Sequence, residues 1–383
     1  MLFIANLLIQ LSYSTVIGID LGGDLIKVAI GSRERGVHRV RNYYLNDVTP
    51  NAFAYIDENK WSFGEGAIAQ CRYYPETCLQ NQKLPLNNKY YFHKSIKGYQ
   101  ITALALQQVI KNAAGKLSID PKELSIVVAI PPSMTNREKS FLYSSLQLTK
   151  YNAIRFVPTT YAPIETYLNE DKSPVSNSTV FIDIGHDGVR VSGFEFNRRK
   201  ITQKVGLFRD QAGGRKIDEN LMKLVIDRYS IVLTNPSYSN ERDYNYNREL
   251  IKNRVLLLAK IRRAREDLSN QTEVTFEFKN IKITLDRKDI DNCSQEVQSA
   301  LTDMLNTLKN EYQYLLRSGD IHIIGGCSRI PCLQNHIRNL LPNIRIVQQM
   351  KKILSICKGA CYIIDTEVNS NIKEHNSLIT FNV

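Results

Sequence analysis

Short apolar runs alternate along the chain with segments in which apolar residues recur every three to four positions. The runs are typical of buried strands and the spacing is typical of amphipathic helices. The runs predict strands at Val16–Leu21, Leu25–Ile30, Ser125–Ile130, Thr179–Ile184, Val189–Phe196 and Ile321–Ile324. The spacing predicts helices over Gly98–Leu117, Thr135–Lys150, Ile217–Tyr229, Glu249–Leu268 and Ser294–Arg317. Strands and helices that alternate along one chain indicate an α/β fold.

Two polar segments interrupt this pattern. Asn169–Asn177 contains a proline and is predicted to be a linker. Thr234–Asn247 is rich in Asn, Tyr and Ser and is predicted to be an exposed arm between two helices.

The first eleven residues are uncharged and almost wholly apolar, and Ser12-Tyr13-Ser14 follows them. Small residues at positions 12 and 14 suit cleavage after Ser14, so residues 1–14 are predicted to be a secretory signal peptide. A buried first strand is the alternative. The run is too short to span a bilayer, which needs about 20 residues, and no membrane span is predicted.

The composition is that of a globular protein with two or three domains, at 383 residues, 43% hydrophobic and 23% charged. The net charge is +12, but the basic residues are spread along the chain, which favours a solvated surface over a nucleic-acid interface. Seven cysteines in a chain of this length do not indicate a disulfide framework or a zinc site. The sequence leaves open whether one disulfide forms within one of the spaced pairs, which are Cys71/Cys78, Cys327/Cys332 and Cys357/Cys361.

A strand, an aspartate, a glycine turn and a second strand occur twice in the sequence. Asp20–Asp24 matches Asp183–Asp187, and Ile26–Val28 matches Val189–Val191. Glycine permits a positive φ and lets backbone amides approach an anion without a Cβ in the way. An aspartate at the strand end suits a Mg²⁺ ion held mostly through water. The repeat therefore predicts two similar lobes that hold the phosphates of a nucleotide from both sides.

A third glycine turn lies near the end of the chain. Ile321–Pro331 contains an apolar strand, the pair Gly325-Gly326 and the start of a predicted helix. Glycines here would let adenine and ribose lie against the main chain, with Arg329 beside them. The turn is a weak signal alone and a strong one after two phosphate hairpins.

These motifs resemble the two phosphate motifs and the adenosine motif of the actin-like ATPase superfamily. Within it, the chain is similar to the nucleotide-binding domain of the seventy-kilodalton heat-shock chaperones over Val16 to about Tyr362. Asp20–Gly22 followed by Lys27–Ile30 resembles the large endoplasmic-reticulum branch, the 170-kilodalton glucose-regulated, hypoxia up-regulated chaperones.

The resemblance implies a two-lobed actin-like ATPase fold, with duplicated ribonuclease-H-like subdomains around a nucleotide cleft. Lobe I would cover 15–175 and lobe II 176–352, and 353–383 would return to lobe I and form a C-terminal tail.

The resemblance also implies ATP or ADP and Mg²⁺ as ligands, and it gives a role to each matching residue. Asp20 and Asp183 would be catalytic and would hold magnesium mainly through water, and Lys94 would be the catalytic lysine. The residues at nucleotide-contacting positions are Gly22, Gly23, Gly185, His186, Gly213, Gly214, Arg265, Ser269, Gly325, Gly326 and Arg329.

The chain departs from the family at positions that serve hydrolysis. Gly23-Asp24 stands where two threonines are usual, and Gly185–Arg190 replaces a glycine-rich turn with threonine. Thr159 replaces a glutamate, and Ile353 is the nearest match for an aspartate at the adenosine site. Because phosphoryl transfer depends on positioning and charge stabilisation, we expect weak or absent ATPase activity.

The expected function is that of an ATP-binding, chaperone-like protein of the endoplasmic-reticulum lumen. It would assist another heat-shock chaperone as a co-chaperone or nucleotide-exchange partner. We also expect the chain to lack the family's peptide-binding domain. An active ATP-hydrolysing chaperone and a nucleotide-free scaffold are the alternatives. A sugar kinase is disfavoured, because the match outside the turns is to chaperones.

Overall fold

The computed structural model describes residues 15–32, 36–57, 59–80, 83–92, 95–115, 124–149, 153–170, 177–197, 200–231, 233, 241–342, 344–347 and 352–363. The predicted signal peptide and Lys94 lie outside these ranges.

The first half of the chain is built on a six-stranded sheet. Its strands, in order across the sheet, are Ala153–Pro158, Leu124–Ile130, Thr15–Leu21, Leu25–Ser32 and Gly36–Arg39, with Thr49–Pro50 paired to Leu25–Ser32. The helices of this half are Glu65–Cys71, Gly98–Gly115, Asn136–Gln147 and Ala162–Glu170. Side chains alternate between the two faces of a strand, so Ile17 packs towards the helices that carry Leu106 and Leu142, whereas Val16 packs on the opposite face. Both faces are covered, which explains the continuous apolar runs.

The second half repeats this plan on a five-stranded sheet. Its strands, in order, are Lys200–Asp210, Gly188–Asn197, Ser178–Ile184, Gly319–Ile324 and Ile346–Val347. A separate hairpin is formed by Glu273–Phe278 and Ile281–Asp286. The helices are Gly214–Arg228, Glu241–Asp267, Arg287–Cys293, Gln295–Glu311, Gln313–Ser318 and Pro331–Leu340.

The same strand pairing occurs in both halves. Thr15–Leu21 pairs antiparallel with Leu25–Ser32 and parallel with Leu124–Ile130. Ser178–Ile184 likewise pairs antiparallel with the strand that follows it and parallel with Gly319–Ile324. We call Thr15–Ser32 the first hairpin and Ser178–Asn197 the second hairpin.

A shared apolar cluster joins the two halves at the base of the cleft. Phe181 and Phe194 of the second hairpin pack with Val16 and with two tyrosines of the first half. The ring centroids of Tyr161 and Phe194 are 5.8 Å apart, and those of Tyr167 and Phe181 are 6.2 Å apart, both edge-to-face. These contacts fix the hairpins relative to each other.

The last described helix, Ser355–Tyr362, follows a short turn at Lys352–Leu354 and packs on the first sheet. A side chain at Gly18 would overlap the backbone carbonyl of Cys357, so the helix lies directly against the central strand.

Smaller elements extend the first half towards the cleft. They are the strands Phe53–Asp57, Lys60–Phe63 and Cys78–Leu79, the pair Tyr90–Tyr91 and Ile96–Lys97, and the turn Pro75–Thr77. A disulfide joins Cys71, at the end of a helix, to Cys78. The sequence left this pairing open, and the other two spaced cysteine pairs are not bonded.

All six predicted strands are confirmed, and two predictions need correction. The helix expected over Ser294–Arg317 is interrupted at Tyr312. The arm expected over Thr234–Asn247 is wrong in its second part, because a helix begins at Glu241. Residues 234–240 lie outside the described ranges. Within the described ranges, none of the helices has the length and apolarity needed to cross a bilayer.

Candidate functional site

The turns of the two hairpins meet between the halves. A Cβ on Gly23, in the first turn, would overlap the carboxylate of Asp187 in the second turn. The turns therefore face each other, as the sequence repeat predicts.

Each hairpin carries a buried ion pair at the same place. In the first, Asp20 lies opposite Lys27 in the strand register, with Nζ 2.8 Å from Oδ2. In the second, Asp183 lies opposite Arg190, with Nη1 3.5 Å from Oδ2. Directly opposed residues of antiparallel strands have neighbouring side chains, so the pairing follows from the register.

Both turn glycines pack closely against backbone carbonyls, Gly22 more tightly than Gly185. A Cβ on Gly22 would lie 2.5 Å from the carbonyl oxygen of Leu25, and one on Gly185 would lie 3.3 Å from that of Gly188. Neither glycine has a positive φ, so close approach, and not left-handed backbone, accounts for glycine at these positions.

The two ion pairs lie close enough to influence each other. Burial alone would lower the pKa of Lys27, but Asp20 and then Asp183 raise it above its ordinary value. Burial raises the pKa of Asp183, Arg190 opposes that rise, and Asp20 adds to it. The two hairpins therefore share one electrostatic site.

Arg262 links the halves across the cleft. Its Nη1 lies 2.7 Å from Oδ1 of Asp24 in the first turn, and its Nε lies 3.0 Å from Oδ2 of Asp218 in the second half. Its Nη2 donates to Nε2 of His186 in the second turn, at 3.1 Å. Only a neutral imidazole can accept there, and burial lowers the pKa of His186 to about 4.

The remaining charged groups complete the network. Nε of Arg265 lies 2.7 Å from Oδ1 of Asp218, and its Nη1 donates to Sγ of Cys327. Asp187 pairs with Arg215 of its own half. Burial alone would raise the pKa of Asp24, but Arg262 leads a group of positive charges that hold it below its ordinary value.

This arrangement does not fit a divalent metal as the partner of Asp20 and Asp183. Each carboxylate is already engaged by a buried cation of its own hairpin. Among the described residues, no group of three or more His, Cys, Asp or Glu side chains is placed to hold a metal. The donor set is two carboxylate–cation pairs, and the second cation, Arg190, also lies 3.9 Å from Oδ1 of Asp210.

A cavity of about 470 Å³ opens between the halves beside the turns, within the usual range for small-molecule sites. Its lining includes Leu21, Lys83 and Asp187. Asn51 also lines it, and its Nδ2 donates to the carbonyl of Gly22 at 2.8 Å. The buried Oδ1 of Asn51 has no hydrogen-bond partner among the described residues, so a ligand donor could satisfy it.

The third turn and the Gly213-Gly214 pair both pack against the second hairpin. Gly325 has φ 91°, and a Cβ there would overlap the carboxylate of Asp183. The backbone N–H of Gly214 donates to the carbonyl of Gly185 at 3.0 Å.

The other predicted adenosine residues differ in burial. Gly326 and Arg329 are exposed. Ser269 is half-buried just beyond the helix that carries Arg265.

Sequence reasoning missed two residues that the geometry brings to the site. The first is Arg262, which shares a helix face with Arg265 at a spacing of three, whereas Arg263 is exposed. The second is Lys83, which lines the cavity. The sequence marks it only as a lysine that precedes the apolar Leu84 in a polar stretch. Lys94 lies outside the described residues, and its role stays a prediction.

Two α/β halves with duplicated hairpins that meet at a shared cleft define the actin-like ATPase fold. The chain belongs to the Hsp70 protein family, because the family model described as Hsp70 protein matches residues 79–365. Proteins of this family bind adenine nucleotides.

The similar proteins include several large heat-shock proteins. "Heat shock 70 kDa protein 4" of Homo sapiens is 24% identical over 371 residues, covering 84% of this chain and 42% of that protein. "Heat shock protein 110" of Caenorhabditis elegans is 25% identical over 263 residues, covering 63% of this chain and 32% of that protein. A heat shock protein homolog of Candida glabrata is 22% identical over 399 residues, covering 91% of this chain and 54% of that protein. The chain thus spans between 32% and 54% of the length of these relatives.

Proposed function

We propose that the chain is a chaperone-family nucleotide domain whose cleft binds an adenine nucleotide and hydrolyses it slowly or not at all. The observation that carries the proposal is the convergence of two duplicated hairpin turns beside a cavity lined by Lys83 and Asn51. Asp187 of the second turn lines this cavity together with the basic side chains of Lys83 and Arg215, and basic groups beside a turn suit an anionic ligand tail.

The charge arrangement supports weak hydrolysis. Four carboxylates lie at the hairpins, and a basic side chain engages each of them: Asp20 with Lys27, Asp183 with Arg190, Asp24 with Arg262 and Asp187 with Arg215. A carboxylate held by a cation is a weak base and a poor group for orienting water. Thr159, at the position where the resemblance expects a glutamate, supplies a buried hydroxyl instead.

We further propose that the protein assists a full-length heat-shock chaperone, as a co-chaperone or nucleotide-exchange partner. The similarity to large heat-shock proteins supports this role. Residence in the endoplasmic-reticulum lumen, and kinship with the large branch there, are part of the same proposal. The predicted signal peptide and the Cys71–Cys78 disulfide support an oxidising compartment.

Calorimetric titration with ADP tests the nucleotide site. Lys83→Ala removes an exposed charge from the cavity wall and should weaken ADP binding about ten-fold, the effect of about 1.4 kcal/mol. Lys89→Ala is the matched control, because Lys89 is exposed on the same segment but does not line the cavity. Equal affinities for the two variants would place the nucleotide elsewhere.

A single-turnover assay with ATP tests the second part. Release of phosphate at the background rate is expected, and rapid release that disappears in Asp183→Ala would instead support an active ATPase.

A nucleotide-free scaffold is the second candidate, and one observation favours it. Arg262 bridges both turns with the chain's own charges, which closes the cleft without a ligand. Absence of calorimetric heat with either nucleotide would leave this candidate in place of the first.

A further inference from the structure

We propose that this cleft binds the phosphates of an adenine nucleotide without a divalent metal, because each hairpin carries a built-in cation behind its turn. The cations are Lys27 in the first hairpin and Arg190 in the second. The inference rests on the proposed nucleotide binding, and it goes further by replacing the metal with residues of this chain.

The duplication of the ion pairs is the first step. Both pairs join the last aspartate of one strand to the residue directly opposite on the next. Both cations also approach the turn glycine of their own hairpin. A Cβ on Gly22 would lie 3.5 Å from Nζ of Lys27, and one on Gly185 would lie 3.6 Å from Nη1 of Arg190. Two unrelated surface ion pairs would not share register, burial and position behind a turn.

The charge balance is the second step. Without basic partners, Asp20 and Asp183 would place two negative charges beside the incoming phosphates, and a divalent cation would be needed to offset them. Lys27 and Arg190 together carry the two positive charges of a divalent cation, and Arg190 also lies 3.9 Å from the carboxylate of Asp210. Their side chains are 15% and 11% exposed, so solvent screens them little.

Exclusion of the metal is the third step. A divalent ion placed between Asp20 and Asp183 would also lie beside Lys27 and Arg190, and like charges in a buried site repel strongly. The cavity wall includes Leu21, at the end of the first strand, and Asp187 of the second turn, but neither Lys27 nor Arg190. The two cations would therefore act on a bound phosphate through their charge and not by direct contact.

The wild-type protein gives the decisive experiment. ADP is titrated calorimetrically in excess magnesium chloride and, separately, in excess EDTA. We expect dissociation constants that agree within about three-fold, well below the ten-fold change that about 1.4 kcal/mol would produce. A loss of affinity of about ten-fold or more in EDTA would overturn the inference and leave the proposed nucleotide binding intact. Absence of binding in both buffers would refute nucleotide binding itself.

Lys27→Met sharpens the test. Removing the ammonium should weaken ADP binding in EDTA about ten-fold, and magnesium should restore part of it, because Asp20 is then available to a metal. Lys204→Met is the matched control, since Lys204 pairs with Glu195 on a partly exposed strand away from the turns. It should keep wild-type affinity in both buffers.

If Lys27→Met does not fold, Lys27→Arg takes its place in the test. Lys27→Arg keeps the positive charge and should therefore still bind ADP in EDTA. Binding by Lys27→Met that stays at the wild-type level in EDTA would show that the lysine does not stand in for a metal.

Discussion

In the first hairpin, the aspartate at the turn tip, Asp24, pairs with Arg262 of the other half. In the second hairpin, the corresponding Asp187 pairs with Arg215 of its own half. Behind the tips the hairpins agree, since each has a buried aspartate, a cross-strand cation and a close-packed glycine. Strand register and burial constrain the part of the hairpins behind the tips, so the two hairpins agree there. The core does not constrain the tips, which differ, and only the first tip pairs with an arginine of the other half.

The largest effect is expected where the cross-cleft arginine is anchored. Asp218 is buried between Arg262 and Arg265, so Asp218→Ala leaves two guanidinium groups without their shared carboxylate. Breaking a buried pair in this way should lower the free energy of unfolding by about 3–5 kcal/mol. Urea denaturation measures the change.

Asp227→Ala provides the control, because Asp227 is exposed on the same helix and should change stability by no more than about 0.5 kcal/mol. Similar values for the two variants would mean that Asp218 does not hold the bridge between the halves.

The two turn glycines offer a direct comparison of the hairpins. A Cβ at Gly22 requires the backbone of Leu25 to move, whereas a Cβ at Gly185 needs only a few tenths of an ångström from Gly188. Gly22→Ala should therefore lower the free energy of unfolding by about 2–3 kcal/mol and Gly185→Ala by about 1 kcal/mol, within the range for overpacking. Thermal or urea unfolding of both variants measures the difference, and equal losses would show that the turns are equally tight.

The pH dependence of stability tests the tip of the second hairpin. His186 faces Asp24, Arg262, Asp187 and Arg215, and its pKa is lowered to about 4. The unfolded chain binds a proton at this histidine near pH 6.5 and the folded chain only near pH 4, so stability falls as the pH drops through that window. The loss should be about 1–3 kcal/mol.

Urea unfolding at about pH 7 and about pH 5 measures this loss, which His186→Asn should remove. His38→Asn is the control, because His38 is exposed on an edge strand and should keep the wild-type profile. A profile unchanged by His186→Asn would contradict a buried neutral imidazole at the turn.

Much of the fold could be predicted because its signals are local. Buried strands such as Thr15–Leu21 and Ser178–Ile184 are continuous apolar runs, and their repetition predicts the facing turns. The helix Glu241–Asp267 was predicted only from Glu249 onwards, because its first residues are polar and lack a clear apolar spacing.

The site was harder to predict, because its partners are distant along the chain. Arg262 meets Asp24 across 238 positions, and no sequence pattern pairs them. The cations opposite Asp20 and Asp183 could have been found from the hairpin register, since Lys27 and Arg190 occupy matching positions in the repeat.

The aromatic seam formed by Tyr161, Tyr167, Phe181 and Phe194 holds the two hairpins together at the base of the cleft, and the pair between Asp24 and Arg262 holds the two halves together at the tips. Any rotation of the halves about the seam would therefore have to break the Asp24–Arg262 pair, because the tips lie away from the seam.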